Sequence, residues 1–98
     1  MDVIFLHHEQ YFVWDADKAN KNLAKHGVSF EQASTVFFDP FAVLVDATSN
    51  DDQREAIIGL TEEMDALYVV HILRQDDVIR IISARPATRQ ERSEHEFV

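Results

Sequence analysis

Ninety-eight residues with 46% apolar and 10% aromatic content suit one domain spanning 1–98 with a real core, and argue against disorder. The chain has no cysteine, which excludes disulfides, thiolate metal sites and a cysteine nucleophile and leaves a cytoplasmic setting as the expectation. The formal net charge of -9 is unevenly spread: residues 15–26 hold three lysines against two aspartates, residues 74–92 five arginines against three acids, and residues 27–73 one arginine against nine acids. Clustered cations on an acidic chain point to an anionic ligand, and the acidic middle points to a basic partner protein.

Met1 to Leu6 lacks the basic start, long apolar run and small-residue cleavage site of a secretory signal. Residues 1–9 read as either a further strand or a loose extension. Tyr11 to Trp14 reads as a short strand from its aromatic and β-branched content. Asp15 then suits an N-cap, with a helix over Ala16 to His26 that places Ala16, Ala19 and Leu23 on one face. Gly27 suits the left-handed position that ends it. Ser29-x-x-Gln32 is a capping box, so a second helix starts at Phe30, buries Phe30, Ala33 and Phe37, and stops at Asp39-Pro40.

The period then changes to that of strands. These are Phe41 to Val45, Gln53 to Leu60 with Gly59 as a weak point or bulge, Leu67 to Arg74, and Val78 to Ala84. Asn50-Asp51-Asp52 and Gln75-Asp76-Asp77 read as the loops between them, and connections this short favour an antiparallel meander. The longest apolar stretch, Ala66 to Leu73, falls far short of the roughly 20 residues that span a bilayer, so no membrane role is expected. Thr88-x-x-Glu91 is another capping box and starts a last helix. The expected fold is α+β: two N-terminal helices, an antiparallel meander of about four strands, and a C-terminal helix.

In the last strand, alternation puts Val78, Arg80, Ile82 and Ala84 on one face and Ile79, Ile81, Ser83 and Arg85 on the other. Arg80 and Arg85 then cannot share a pocket unless Arg85, beside Pro86, leaves the ladder. An arginine in an apolar strand either pairs with an acid (Glu55, Asp46 or another) or offers its planar fork to a phosphate. Lys18, Lys21 and Lys25 run along one helix side, as a solvated face or as a track for a nucleic-acid backbone. His26 is a helix-end cap or a general acid or base, and Trp14 suits the core better than a base-stacking platform. Neighbouring His7 and His8 would point oppositely in a strand, and His71 among apolar residues reads as a core or partner-facing side chain. No metal is expected, because no helical His-x-x-x-His pair or mixed His/carboxylate cluster is spaced for one. There is no Gly-rich phosphate loop and no Gly-x-Ser-x-Gly elbow.

Trp14-Asp15-x-x-Lys18-Ala19-x-x-Asn22-x-x-Lys25-His26-Gly27-Val28-Ser29-Phe30-Glu31-x-Ala33, then Phe37-x-Asp39-Pro40, Arg54-Glu55 with Ile58-Gly59, and Arg80-Ile81-Ile82-Ser83-Ala84-Arg85-x-Ala87-Thr88-x-x-Glu91-Arg92 together resemble the BrnT toxin family. The resemblance covers roughly residues 11–95. It implies a RelE-like fold and a metal-independent endoribonuclease toxin of a type II toxin-antitoxin pair, which needs no cofactor and arrests growth by stopping translation. It further implies a small BrnA-like antitoxin that inhibits the toxin in a hetero-oligomer and carries the DNA-binding part through which the complex represses its promoter. The positions it carries over are Arg54, Glu55 and Arg85, with Arg80 and His26 beside them. Arg85 and Arg54 would hold phosphate, Glu55 would act as base or orienting group, and Lys18, Lys21, Lys25, Arg89 and Arg92 would bind RNA. Where family members commonly carry a tyrosine after the Glu-Arg pair, this chain has His95, either a proton-transfer group or a residue with no catalytic role. The alternative is a non-catalytic binding module that works with a basic partner in transcriptional autoregulation.

Overall fold

Asp15 and Ser29 set the entry of the chain into its helices. The Asp15 carboxylate accepts from the Lys18 amide at 3.0 Å and starts α1 (Ala16–His26), which ends at Gly27 with φ 69°. Ser29 and Gln32 exchange both bonds of the capping box and start α2 (Phe30–Thr35), which tightens into a 3₁₀ turn over Val36–Phe38. The computed structural model describes residues 1–48 and 53–95, so the expected Asn50-Asp51-Asp52 loop lies outside the described residues.

Six strands form one sheet: β1 (Asp2–His7), β2 (Gln10–Asp15), β3 (Val43–Asp46), β4 (Glu55–Leu60), β5 (Ala66–Leu73) and β6 (Ile79–Pro86). Their order is β1-β2-β6-β5-β4-β3. The meander β3 to β6 is antiparallel as expected. Residues 1–15 correct the expected four-strand architecture, because they fold as a β1–β2 hairpin that joins the meander through a parallel pairing of β2 with β6. The sheet is therefore mixed, and the segment from α1 to β5 is the crossover that a parallel pair requires. A short helix α3 (Arg89–Arg92) follows β6, started by the Thr88–Glu91 capping box.

One face of the sheet packs against α1, α2 and the 3₁₀ turn. Phe12, Trp14, Phe30, Ala33, Val36, Val69, Ile81 and Ala84 form the core there, which places Trp14 in the core. The expected docking side of α1 needs correction: Leu23 is exposed and Asn22 is buried. β2 pairs with β6 only at Ile79 and Arg80, so the upper part of β6 lacks a strand neighbour on that side. Asn22 fills the gap. Its amide donates to the Ala84 carbonyl at 2.8 Å and the Val28 carbonyl at 3.0 Å, and it accepts from the Ala84 amide at 3.1 Å. A side-chain amide thus replaces one rung of the missing strand. Asn22→Leu removes all three bonds and leaves buried backbone groups unpaired, so it destabilises by about 3 kcal/mol in urea unfolding.

Gly59 lies in a regular part of β4 rather than at a bulge. A Cβ there would meet Ala42 Cβ at 3.1 Å, the Val36 carbonyl at 3.2 Å and an Asp39 carboxylate oxygen at 3.3 Å. The glycine is needed for the close approach of the 3₁₀ turn. Among the described residues no helix is long and apolar enough to cross a membrane.

Candidate functional site

The β5–β6 ladder contains a register shift that decides where the arginines point. Val70 faces Ser83 but His71 faces Ile81, so Ile82 is an extra residue in β6. A bulge adds one residue to one strand and reverses the alternation beyond it. Arg80 opposite Ile72, Ser83 opposite Val70 and Arg85 opposite Tyr68 consequently share the face away from the helices. Strict alternation placed Arg80 and Arg85 on opposite faces. The bulge overturns that, and it does so with Arg85 still paired in the ladder.

Arg85 is held on three sides. Its guanidinium carbon lies 4.2 Å from the centre of the Tyr68 ring, and its two terminal nitrogens donate to the two Glu91 oxygens at 2.7 and 2.8 Å. A third donation reaches the Pro86 carbonyl at 3.3 Å. Glu91 also accepts from the Thr88 amide. The Arg85 fork, helped by that amide and opposed by burial, pulls the Glu91 carboxyl from 4.5 down to about 2. A depressed carboxylate pKa adds stability that is fully present above the unfolded value and disappears as pH falls through the folded one. Glu91 therefore contributes fully above about pH 4.5 and loses that contribution towards pH 2. The pair is partly open to solvent, so the contribution is about 1 kcal/mol. The stability gap between the parent and Glu91→Gln in urea unfolding closes between pH 5 and pH 2.5.

Arg80 pairs with neither Glu55 nor Asp46. It donates two bonds, at 3.1 and 3.2 Å, to Asp2 on the outermost strand, a partner that only the parallel β2–β6 pairing brings within reach. Arg54 and Glu55 line a cleft of about 550 Å³ together with Asp46, Thr48 and His71. Glu55 faces His71 across the β4–β5 ladder. Burial pushes the His71 imidazole below its usual pKa against the opposing pull of the Val69 carbonyl and Glu55, so the ring is held neutral. No spacing in the sequence links residue 71 to residue 55; the strand register alone pairs them. This cleft and the one beside Arg85, lined by Ile58, Tyr68, Thr88 and Glu91, have Val45 in common. The register puts Glu55, with Asp46 and His71, on the helix-packed side of the sheet beside Ile57 and Val69, so this cleft lies at the start of β4 and Arg85 stands on the opposite side.

The remaining candidate residues lie elsewhere. His26 and Arg92 line a separate cleft with Gln32, Thr61 and Asp65. Lys18, Lys21 and Lys25 are exposed on α1, which packs through Asn22 on the face opposite the arginines. Arg89 is exposed on α3. His95 is buried, and its Nε2 lies 2.7 Å from an Asp39 oxygen. It latches the last described residue to the end of the 3₁₀ turn.

A six-stranded mixed sheet packed on one face by helices, with Arg80 and Arg85 on the other face and Arg54, Glu55 and His71 in a cleft at the start of β4, defines the class of domain. Residues 14–91 match the family model described as ribonuclease toxin, BrnT, of type II toxin-antitoxin system, and the chain belongs to that family. It is thus a ribonuclease toxin of a type II pair, with an antitoxin as partner. No curated protein matches the chain.

Proposed function

We propose that this toxin cleaves RNA without a metal, in the cleft that holds Arg54 and Glu55. RNA carries its own nucleophile. The 2′-oxygen attacks the adjacent phosphorus, the bond from phosphorus to the 5′-oxygen breaks, and a 2′,3′-cyclic phosphate forms. Arg54 holds the non-bridging oxygens as charge builds on them, and Arg85 holds a neighbouring phosphate of the same strand. Glu55 takes the 2′-hydroxyl proton, with neutral His71 packed behind it as a positioning residue. The departing 5′-oxygen takes a proton from water. A phosphodiester offers Arg85 the same two-oxygen geometry as Glu91, so substrate replaces the carboxylate in the guanidinium fork.

The observation that supports this most is the cleft at the start of β4, which sets Arg54 beside Glu55 and His71. The test uses the purified chain without its partner, excess EDTA and a single-stranded RNA. Cleavage with cyclic phosphate and 5′-hydroxyl ends is the expected result. Intact RNA after prolonged incubation with folded protein overturns the reading.

The antitoxin partner is read as a BrnA-like protein with basic segments, drawn to the acidic stretch 27–73, that carries the DNA-binding part of an autorepressing cytoplasmic hetero-oligomer. Its affinity then falls steeply with added salt. A second reading, a binding module without catalysis, is favoured by one observation: Arg80 and Arg85 both already sit in two-pronged ion pairs with carboxylates. Tight antitoxin binding by a chain that leaves RNA intact is the outcome that selects it.

A further inference from the structure

We propose that His7, His8 and Glu62 form a site for a divalent transition metal, with zinc as the best fit, that fastens the β1–β2 hairpin to the β4–β5 loop. Adjacent histidines in a strand project to opposite sides, which is why the sequence alone argued against a metal here. The structure differs because β1 ends at His7 and the next two residues form the turn. His8 and Glu9 have φ of 49° and 67°, the left-handed region that residues with a Cβ rarely occupy. This turn swings the second imidazole to the side of the first, with ring centres 4.1 Å apart.

Glu62 arrives from a distant part of the chain. One of its oxygens lies 3.4 Å from His7 Nε2 and 3.9 Å from His8 Nε2. A ligand atom from each of the three residues lies within 4.8 Å of the others. Ligands about 2.0–2.1 Å from a tetrahedral zinc sit roughly 3.4 Å from one another, so small side-chain rotations close the set. His7 Nε2 is buried and makes no hydrogen bond, as an atom reserved for a metal would be. His8 and Glu62 are exposed, which leaves room for water as a fourth ligand. Phe38 meets both imidazoles edge-on at 5.4 and 5.0 Å, and Phe5 stacks on His7 at 5.9 Å. These rings hold the imidazoles in place before any ion arrives. Two imidazoles and one carboxylate suit zinc, nickel or copper; magnesium and calcium need more oxygen ligands.

His7 and His8 precede the stretch that matches the family model, residues 14–91, while Glu62 lies within it. The strand it secures also bears Asp2, the partner of Arg80. The metal would thereby stiffen the edge of the arginine-bearing face without entering the cleft that holds Arg54 and Glu55.

The experiment uses the full chain without a polyhistidine tag. Zinc is titrated by calorimetry, and cobalt is followed by its visible absorption. One zinc per chain with micromolar or tighter affinity is expected, together with cobalt bands typical of four-coordination. His8→Asn and Glu62→Gln alter exposed side chains, so circular dichroism stays unchanged. Each lowers zinc affinity at least tenfold, while magnesium at millimolar concentration produces no heat in any variant. No zinc binding at 100 µM, or unchanged affinity in either variant, overturns the site. The readout is binding, so it stands or falls independently of RNA cleavage.

Discussion

Arg85→Lys lowers RNA cleavage by about 10–100-fold, the loss expected when a two-pronged, charge-assisted contact of about 1.5–3 kcal/mol to the RNA backbone is removed. Lysine keeps the charge but loses the planar fork that can hold two phosphate oxygens at once. It also loses the flat surface that stacks 4.2 Å from the Tyr68 ring centre. The fall appears mainly in KM, because the contact is made equally to bound RNA and to the transition state. The fold survives the substitution, since the pair with Glu91 is half open to solvent and such pairs stabilise by at most about 1 kcal/mol. Arg85→Ala and Glu91→Gln separate the two functions of the fork. The first abolishes growth arrest, whereas the second leaves the fork available to substrate and keeps cleavage at or above the parent rate. Single-turnover cleavage of a short RNA reads both. Parental cleavage by Arg85→Ala would show that the phosphate is held elsewhere.

Asp39→Ala costs about 3–5 kcal/mol of folding stability, the largest loss expected from any single polar substitution in the chain. Its carboxylate is nearly inaccessible and meets three donors: the Leu60 amide at 2.8 Å, the Phe41 amide at 3.0 Å and the His95 ring at 2.7 Å. Burial pushes the Asp39 carboxyl up, but these donors together outweigh it and hold the pKa below 3.8. Alanine leaves two amides and an imidazole without their acceptor and releases the C-terminal segment from the sheet. His95→Ala removes one of the three bonds and costs less, about 1–2 kcal/mol. The ranking is checked by guanidinium unfolding at pH 7. A loss below about 1 kcal/mol for Asp39→Ala would mean that the segment ending at His95 contributes little to the fold.

The sequence left His95 open between a proton-transfer group and a residue with no catalytic role, and only the folded chain shows it turned inward onto Asp39, a residue 56 positions away. His71 keeps its expected place: read as a core or partner-facing side chain from its apolar neighbours, it is buried against Phe37 and faces Glu55 at the inner wall of the cleft that also holds Arg54. The lysines of α1 were legible as a stripe, but nothing in their spacing says which face of the sheet the helix covers. That depends on Asn22, which docks α1 against Ala84.

The amino-acid order alone determined the features made by near neighbours. These are the caps at Asp15, Ser29 and Thr88, the left-handed Gly27, the antiparallel run of β3 to β6, and the motifs that place the chain in its family. Each is settled by bonds spanning three or four residues or by a short turn, whose energetics are complete within the local segment. Tertiary structure decided the bulge at Ile82, the parallel docking of β2 on β6, and the partners of Arg80, Arg85 and His95. Those choices follow from the pairing of whole strands, where shifting the register by one residue reverses every side chain at no local cost. Only the summed packing of the sheet against its helices selects among the alternatives.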